Sequence, residues 1–294
     1  MTASSAFPGH AGRDAAPPPG GSVARPDIDR PSFSWLRVRT VVRRHGYVLF
    51  RSPHRWFDIA FWPVFDVILF GSLGAFVAQQ NDTSRAATPY LLAGIMLFHV
   101  LFQGQIAVAT GFMEETWTRN ILNVMTTPLR EVEYVLGLAL VGLLKLCAAM
   151  VTVSIAAFVF YRFGLGEIGF GLVPVIGVLM LCGWCTAMLV IGLLLRYGQS
   201  AEILAWATTF VLLALSGVFN PVESLPPVIQ PIAKVLPTTY AFRAARELLD
   251  GGPIPWNDLV LATISAFVLA GLSMFYVLRM LRIFRDRGYV TRYS

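Results

Sequence analysis

The sequence predicts an all-α polytopic membrane protein with six transmembrane helices, and three observations lead to that class. Hydrophobic residues make up 56% of the 294 residues and charged residues only 14%, whereas a soluble domain carries about 25% charged residues. The mean hydropathy is +0.64. The apolar residues also form long runs between short polar stretches, which is typical of a chain that has a lipid bilayer as its solvent.

The first segment of the chain differs from the rest. Residues 1–30 are rich in Pro, Gly, Ala and Ser and lack an apolar run of signal-peptide length, so we expect a disordered cytoplasmic tail. Residues 31–294 are expected to form one transmembrane domain. At its start, residues 33–51 place Val38, Val41 and Leu49 on one helical face and arginines on the other. This pattern predicts an amphipathic helix lying at the membrane interface.

Six apolar stretches follow, and each is long enough to cross about 30 Å of hydrocarbon at about 1.5 Å per helical residue. The predicted spans are 56–78, 89–111, 134–161, 170–195, 201–219 and 258–280. Most of the 23 Lys and Arg residues lie before the first span, in the segment 112–133, in the turn 196–200 and in the C-terminal tail. Cytoplasmic segments are enriched in Lys and Arg, so both termini are predicted to be cytoplasmic.

The segment 112–133 contains a second amphipathic pattern. An apolar stripe runs through residues 113–124, and the charged side chains lie away from it. Thr127 can cap a new helix that has Pro128 at its first position. The pattern predicts a short amphipathic helix followed by a break. Either this is an ordinary interfacial loop, or it is a docking element for a cytoplasmic partner.

The stretch 220–257 is apolar but contains too many prolines for a lipid-exposed span, because each proline removes a backbone donor. Asn220, Pro221 and Glu223 have the spacing of a helix cap, a first helical position and a capping-box acid. A second helix is expected to begin after Pro237 and to end at Gly251. We expect two short helices that re-enter the membrane from its outer side; the alternative is a plain surface loop.

Several polar side chains fall within the predicted spans, where such groups are rare and often functional. They are Asp58, Asp66, Gln103, Gln105 and Lys145. Our preferred interpretation is that Asp66, or a neighbouring glutamine, pairs with Lys145 and stabilises the packing of the helices. The alternative is direct contact with a transported molecule.

Some chemistries are excluded by the residues that the sequence lacks. It has no Gly-Lys-Ser/Thr, so the chain cannot bind ATP through a P-loop. It has no His-Glu-x-x-His and no cluster of His and acidic residues at metal-ligand spacing. We therefore expect a non-enzymatic chain without a cofactor of its own. The net charge of +6 is expected to mark the cytoplasmic side and to attract anionic lipids rather than nucleic acid.

Two stretches of the sequence resemble the ABC type-2 permeases, the membrane subunits of bacterial exporters of drugs, lipids or glycans. One is MEETWTRNILNVMTTPLREVEYVLG at 113–137, which is similar to the acidic start, the Thr-Pro pair and the Glu-x-x-x-Gly of that family. The other is SGVFNPVESLPPVIQPIAKVLPTTYAFRAARELL at 216–249, similar to its proline-punctuated re-entrant segment. The chain departs from the family pattern at Trp117-Thr118, where the family often has Gly-Thr.

The resemblance implies partners and roles for particular residues. The segment after the second span would be a coupling helix that docks on a separate ATPase. Its residues would be Glu114, Glu115, Arg119, Thr127 and Pro128. The outer re-entrant segment would cap the transport path. Its residues would include Pro221, Glu223, Pro237, Tyr240, Arg243 and Arg246. The family also implies a permease dimer, expected here to be a homodimer, with two ATPase subunits that hold ATP and Mg.

The function expected from these observations is ATP-driven export across the bacterial inner membrane. The cargo would be an amphipathic, lipid-linked or glycan molecule. One alternative is an ion-coupled secondary transporter, although the two halves show no convincing internal repeat. A second is a membrane-embedded transferase that modifies lipids, which would require clustered acids or a metal site.

Overall fold

The computed structural model describes residues 32–80, 87–117, 123, 127–164, 166, 169–198 and 202–287, so the predicted tail 1–30 lies outside the described residues. Within these ranges all regular secondary structure is helical, as predicted, and there is no strand. The α-helices are α1 (Trp35–Arg51), α2 (Pro53–Gln80), α3 (Ala87–Trp117), α4 (Glu131–Tyr161), α5 (Leu172–Tyr197), α6 (Glu202–Leu215), α7 (Gln230–Val235), α8 (Pro237–Leu249) and α9 (Trp256–Arg287).

Five of these helices, α2, α3, α4, α5 and α9, are long and apolar enough to cross a membrane. They correspond to five of the six predicted spans. The remaining prediction, 201–219, differs from the structure because α6 has only 14 residues. At about 1.5 Å per residue this helix is about 21 Å long, which is less than the hydrocarbon thickness of about 30 Å. It stops at a turn in which Gly217 has a φ of 68°, a left-handed conformation that favours glycine.

The helices α3 and α5 form the centre of the domain. In their most apolar stretches 83% and 72% of the residues are buried, against 22–28% in α2, α4 and α9. The central pair contributes Leu101, Leu179 and Cys182 to the largest hydrophobic cluster. The outer faces of the other three helices are therefore left for lipid or for a partner subunit.

Glycine allows α3 and α5 to approach each other closely. A Cβ atom added at Gly183 of α5 would lie 2.5 Å from the carbonyl oxygen of Leu101 and 3.0 Å from the amide nitrogen of Gln105. Gly104 of α3 also lies close to α5, since its added Cβ would lie 3.2 Å from the carbonyl oxygen of Met180. Small residues at such crossings are the usual basis of tight helix packing within membranes.

The predicted amphipathic helix is present as α1, and its apolar face packs on protein. Val38, Val41, His45 and Leu49 are buried. A Cβ added at Gly137 in the first half of α4 would meet the Val41 side chain at 2.6 Å. Further along, Leu49 shares a small cluster with Ala149 of α4 and Ile59 of α2. The two helices therefore run in the same direction, side by side.

The stretch 216–255 contains two short helices and one turn of 3₁₀-helix. The helix expected from the Asn220–Glu223 pattern is only the turn Val222–Ser224, because Pro226 and Pro227 follow and cannot supply the amide donors that a longer helix needs. The second predicted helix is confirmed as α8. It begins with Pro237 at its first position and is followed by Gly251, whose φ is 74°.

We predict that Gly183→Ala lowers the thermal stability of the purified protein. The added methyl group would force α3 and α5 apart, and overpacking of this kind costs roughly 1–3 kcal/mol. The matched control is Gly177→Ala on the same helix, where an added Cβ meets no atom within 4 Å. Heating followed by size-exclusion chromatography measures both variants. Equal melting temperatures for them would contradict the close packing at Gly183.

Candidate functional site

Carboxylates lie on both sides of the segment that joins α3 to α4. Glu114 and Glu115 belong to the last turn of α3, and Glu133 belongs to the first turn of α4. The side chains of Glu115 and Glu133 are only 3% and 0% exposed. A buried carboxylate is tolerated only when it is paired and hydrogen-bonded. The partners of these residues therefore determine how the two helix ends are held.

Glu133 is held by four hydrogen bonds. The Arg37 guanidinium of α1 donates to both carboxylate oxygens, from Nε at 2.7 Å and from Nη2 at 2.7 Å. The backbone amide groups of Ser34 and Arg130 donate to the same carboxylate at 2.7 Å and 3.0 Å. This two-pronged arginine contact is among the stronger hydrogen-bonding arrangements in proteins. It connects the start of α1 to the start of α4.

The two acidic residues of α3 have arginine partners on different helices. Arg44 of α1 lies 2.7 Å from Glu115, measured from Nη2 to Oε1. Arg55 of α2 lies 2.8 Å from Glu114, measured from Nη1 to Oε1. Together with the Arg37–Glu133 contact, these pairs attach both ends of the segment 118–130 to α1 and α2. We call these three contacts the arginine clamp.

His45 of α1 adds a neutral group beside the clamp. Its Nε2 atom lies 3.6 Å from Oε1 of Glu115 and has no hydrogen-bond partner among the described residues. Burial lowers the pKa of His45 below its usual range, and the nearby carboxylate of Glu115 opposes this only in part. The imidazole is therefore uncharged at pH 7. The permanent charges of the clamp are those of arginine and glutamate.

The predicted coupling residues divide into three groups. Glu114 and Glu115 take part in the clamp and lie on α3 itself, which continues without a break from Ala87 to Trp117. The first residues of the predicted short helix, 113–117, thus belong to α3, and its residues 118–122 and 124 lie outside the described residues. Thr127 and Pro128 are exposed in a bend before α4. Arg119 lies outside the described residues.

A cavity of ≈ 720 Å³ opens beside the clamp, between α1, α2, α3, α4 and α6. Its lining includes Gln103 and Lys145, two of the polar residues that the sequence places inside the membrane, together with Glu114 and Glu115. A volume of this size lies within the range of about 300–1,000 Å³ for small-molecule sites. The structure thus brings predicted coupling residues and predicted intramembrane residues to one place.

Gln105 has a different role from Gln103. It is fully buried, its Nε2 donates to the Ala205 carbonyl of α6 at 2.7 Å, and its Oε1 accepts from Thr186 of α5 at 3.3 Å. The side chain therefore connects three helices and is a packing residue. Gln103 is also buried, at 4% exposure, but it makes no hydrogen bond with the residues that the structure describes, and it lines the cavity.

The structure does not bring Asp66 and Lys145 together. Lys145 lies near the level of Arg55, because Ile59 packs with Ala149 about one turn further along both helices. Asp66 lies about 11 residues beyond Arg55, a distance of about 16 Å along α2. Its neighbour is His99 of α3, with Nε2 3.1 Å from Oδ2. The side chain of Asp58 lies outside the described residues.

The residues predicted for the outer re-entrant segment form a second group of contacts around α8. Arg243 pairs with Asp258 at the start of α9, and its guanidinium lies 5.1 Å from the Tyr240 ring centroid. Arg246 donates to the carbonyl of Gly217, where α6 ends. Pro237 is buried at the start of α8. Pro221 and Glu223 are exposed beside the 3₁₀ turn.

The aromatic side chains connect the cavity to this outer group. Trp62, Phe102 and Trp206 line the cavity, and Phe102 lies 6.1 Å from Trp206 and 6.0 Å from His99 between ring centroids. Beyond Asp66, Phe70 of α2 stacks on Phe219 at 4.4 Å. This stacked pair lies about 12 Å beyond Trp62 along α2.

Comparison with known families agrees with this architecture. A model of the ABC-2 type transporter family matches residues 38–249, a range that includes the cavity, α8 and every residue of the arginine clamp except Arg37. The chain belongs to the ABC-2 type transporter family. It is the membrane-spanning permease subunit of an ABC transporter, and permeases of this family associate with an ABC ATPase subunit. No curated protein matches the chain.

The clamp of this permease could not be found from the sequence alone. Arg37 and Arg44 are seven residues apart, which is two helical turns and therefore one face of α1. That spacing is also typical of the polar face of an interfacial helix. Glu133 is the glutamate of the Glu-x-x-x-Gly pattern that resembles the family. Nothing in the sequence indicates that these charges are buried against each other.

We predict that Arg37→Gln lowers the melting temperature of the permease by roughly 5 °C. The substitution leaves the buried Glu133 carboxylate without its main partner. The control is Arg39→Gln on the exposed face of α1, which we expect to leave the melting temperature unchanged. Replacing both partners, as in Arg37→Gln with Glu133→Gln, should recover part of the loss. If the loss in the double variant equals the sum of the losses in the two single variants, the buried pair is contradicted.

Proposed function

We propose that this permease exports an amphipathic, lipid-linked or glycan cargo across the bacterial inner membrane, driven by a separate ATPase. The ATPase would be present in two copies that hold ATP and Mg, and the permease would be a homodimer. The observation that carries the proposal is the arginine clamp. It attaches both ends of the segment 118–130, the candidate docking site, to helices that line the cavity.

The charge distribution supports an orientation with both termini in the cytoplasm. The segment 118–130 and the arginine-rich α1 would then face the ATPase, with α1 close to the membrane interface. The segment that contains α7 and α8 would re-enter from the outer side. A sixth crossing would consist of α6 extended by residues 216–219.

The mechanism that we propose begins with closure of the ATPase dimer on ATP. Glu114, Glu115, Arg119, Thr127 and Pro128 would receive the movement of the ATPase. Because the pairs Arg44–Glu115 and Arg55–Glu114 connect α3 to α1 and α2, a displacement of the segment would move these helices together against α6. The contact between Phe70 and Phe219 would then open.

The experiment that tests this function is co-purification of the permease with a Walker-motif ATPase, followed by ATP-dependent transport in vesicles. We expect export to continue when an uncoupler removes the ion gradient and to stop when ATP is withheld. Loss of export with the uncoupler alone would instead support an ion-coupled secondary transporter. Modification of a lipid by the purified permease would support the transferase alternative.

We predict that Arg44→Gln and Glu115→Gln each reduce the cargo-dependent stimulation of the ATPase several-fold, because both remove the same contact. The double variant should be no worse than either single variant. ATPase binding should remain, since the exposed residues Thr127 and Pro128 are unchanged. Arg43→Gln, on the exposed side of α1 beside Tyr47, is the control. Additive losses in the double variant would contradict coupling through this pair.

The orientation is tested by cysteine labelling in a variant that lacks the three native cysteines. Thr127→Cys should react with an impermeant maleimide only when the cytoplasmic side is accessible. Val228→Cys, at an 85% exposed position, should react from the opposite side. Labelling of both positions from one side would contradict the proposed topology.

A further inference from the structure

Among the described residues that line the cavity beside the arginine clamp, one basic side chain has no acidic partner. These residues supply three basic side chains of Arg and Lys and two carboxylates. Two of the cations, Arg44 and Arg55, are already neutralised by Glu115 and Glu114. The third, Lys145, makes no hydrogen bond or ion pair with the described side chains around it. A partly buried ammonium group without a partner is unfavourable, so an anion in the cavity would be stabilised there.

A second polar group of the cavity also lacks a partner. Gln103 is 96% buried, given its exposure of 4%, lines the cavity and makes no hydrogen bond with the described residues. Its amide has two N–H donors that a ligand in the cavity can use. A ligand with acceptor oxygens would satisfy both Gln103 and Lys145. Such a ligand is an oxyanion rather than a cation, because a cation would be repelled by Lys145.

The wall of the cavity is charged near the clamp and mostly aromatic further along α2, where Gln103 is also part of the wall. Along α2, Arg55 lies at the clamp end, and Ile59 and Trp62 follow one and two turns further on. On α3 and α6 the wall continues with Phe102 and Trp206. The apolar end therefore begins about 10 Å from Arg55. This order matches a molecule that has a charged head group and an apolar chain.

We propose that this cavity binds the head group of a membrane amphiphile with one phosphodiester charge. Lys145 and Gln103 are the residues that recognise the oxyanion. The wall formed by Trp62, Phe102 and Trp206 covers the first part of the apolar chain. The binding site depends only on the permease, whereas identification of the bound amphiphile as cargo rests on the proposed function.

The test is native mass spectrometry of the purified permease with phosphatidylglycerol or with phosphatidylcholine of the same acyl chains. The first lipid has one negative charge and the second is neutral overall. We expect about tenfold preferential retention of one phosphatidylglycerol, because the choline cation of phosphatidylcholine already offsets its phosphodiester charge and would be repelled by Lys145. Equal retention of the two lipids by the wild-type permease would overturn the proposal.

The chain offers a matched control because it contains only two lysines, Lys145 and Lys234. Lys234 is exposed on α7, away from the cavity. We expect Lys145→Gln to abolish the preference and Lys145→Arg to retain it, while Lys234→Gln leaves it unchanged. A preference that survives Lys145→Gln, or that is lost equally in Lys234→Gln, would overturn the assignment.

Amine methylation of the wild-type permease gives a second readout that needs no variant. Phosphatidylglycerol should protect Lys145 several-fold from modification, whereas phosphatidylcholine should not, and Lys234 serves as the internal reference. This measurement decides the question even when Lys145→Gln does not fold. Equal modification of Lys145 with either lipid would overturn the proposal.

A last comparison separates a transported lipid from a resident one. With the partner ATPase, ATP and vanadate, a cargo lipid should be retained several-fold less, and a resident lipid should be retained equally. Either result agrees with the proposed binding site. The results differ in whether the bound amphiphile is transported or resident. Failure of the permease to bind any ATPase would remove the proposed function, while the lipid preference of the isolated permease would still stand.

Discussion

The burial of Glu133 at the start of α4 is the constraint on which the rest of this site depends. A carboxylate with no exposed surface must be surrounded by donors, and Arg37, Ser34 and Arg130 supply them. This places the start of α1 against the start of α4. With that register set, Val41 meets Gly137 and Leu49 meets Ala149 further along the same two helices.

The register of α1 on α4 also creates the cavity. It brings Arg44 and His45 beside Glu115 at the end of α3. Because α2 follows α1 directly, Arg55 of α2 then reaches Glu114. The charged end of the cavity is thus formed by the clamp itself. Movement of the segment 118–130 and occupation of the cavity therefore act on the same helices. This is the physical basis for coupling a cytoplasmic partner to a site at the membrane.

Much of the fold followed from periodicity and composition. Five spans and α8 were predicted within a few residues, because long apolar runs and proline starts are local signals. The sixth span and the helix at Asn220 were less well predicted. The end of α6 depends on the left-handed Gly217 and on the contact of its carbonyl with Arg246, and Pro226 and Pro227 stop the next helix after one turn.

By itself the sequence determined that this chain uses a bilayer as solvent, where its five long helices lie, and which residues are polar within the spans. Only the tertiary structure decided their partners. It placed His99 rather than Lys145 beside Asp66, used Gln105 for packing and left Gln103 in a cavity. The physical reason is that helix periodicity fixes the face of a side chain, whereas pairing requires the axial register of neighbouring helices. That register is set by non-local contacts such as Arg37–Glu133 and the approach of Gly183 to α3.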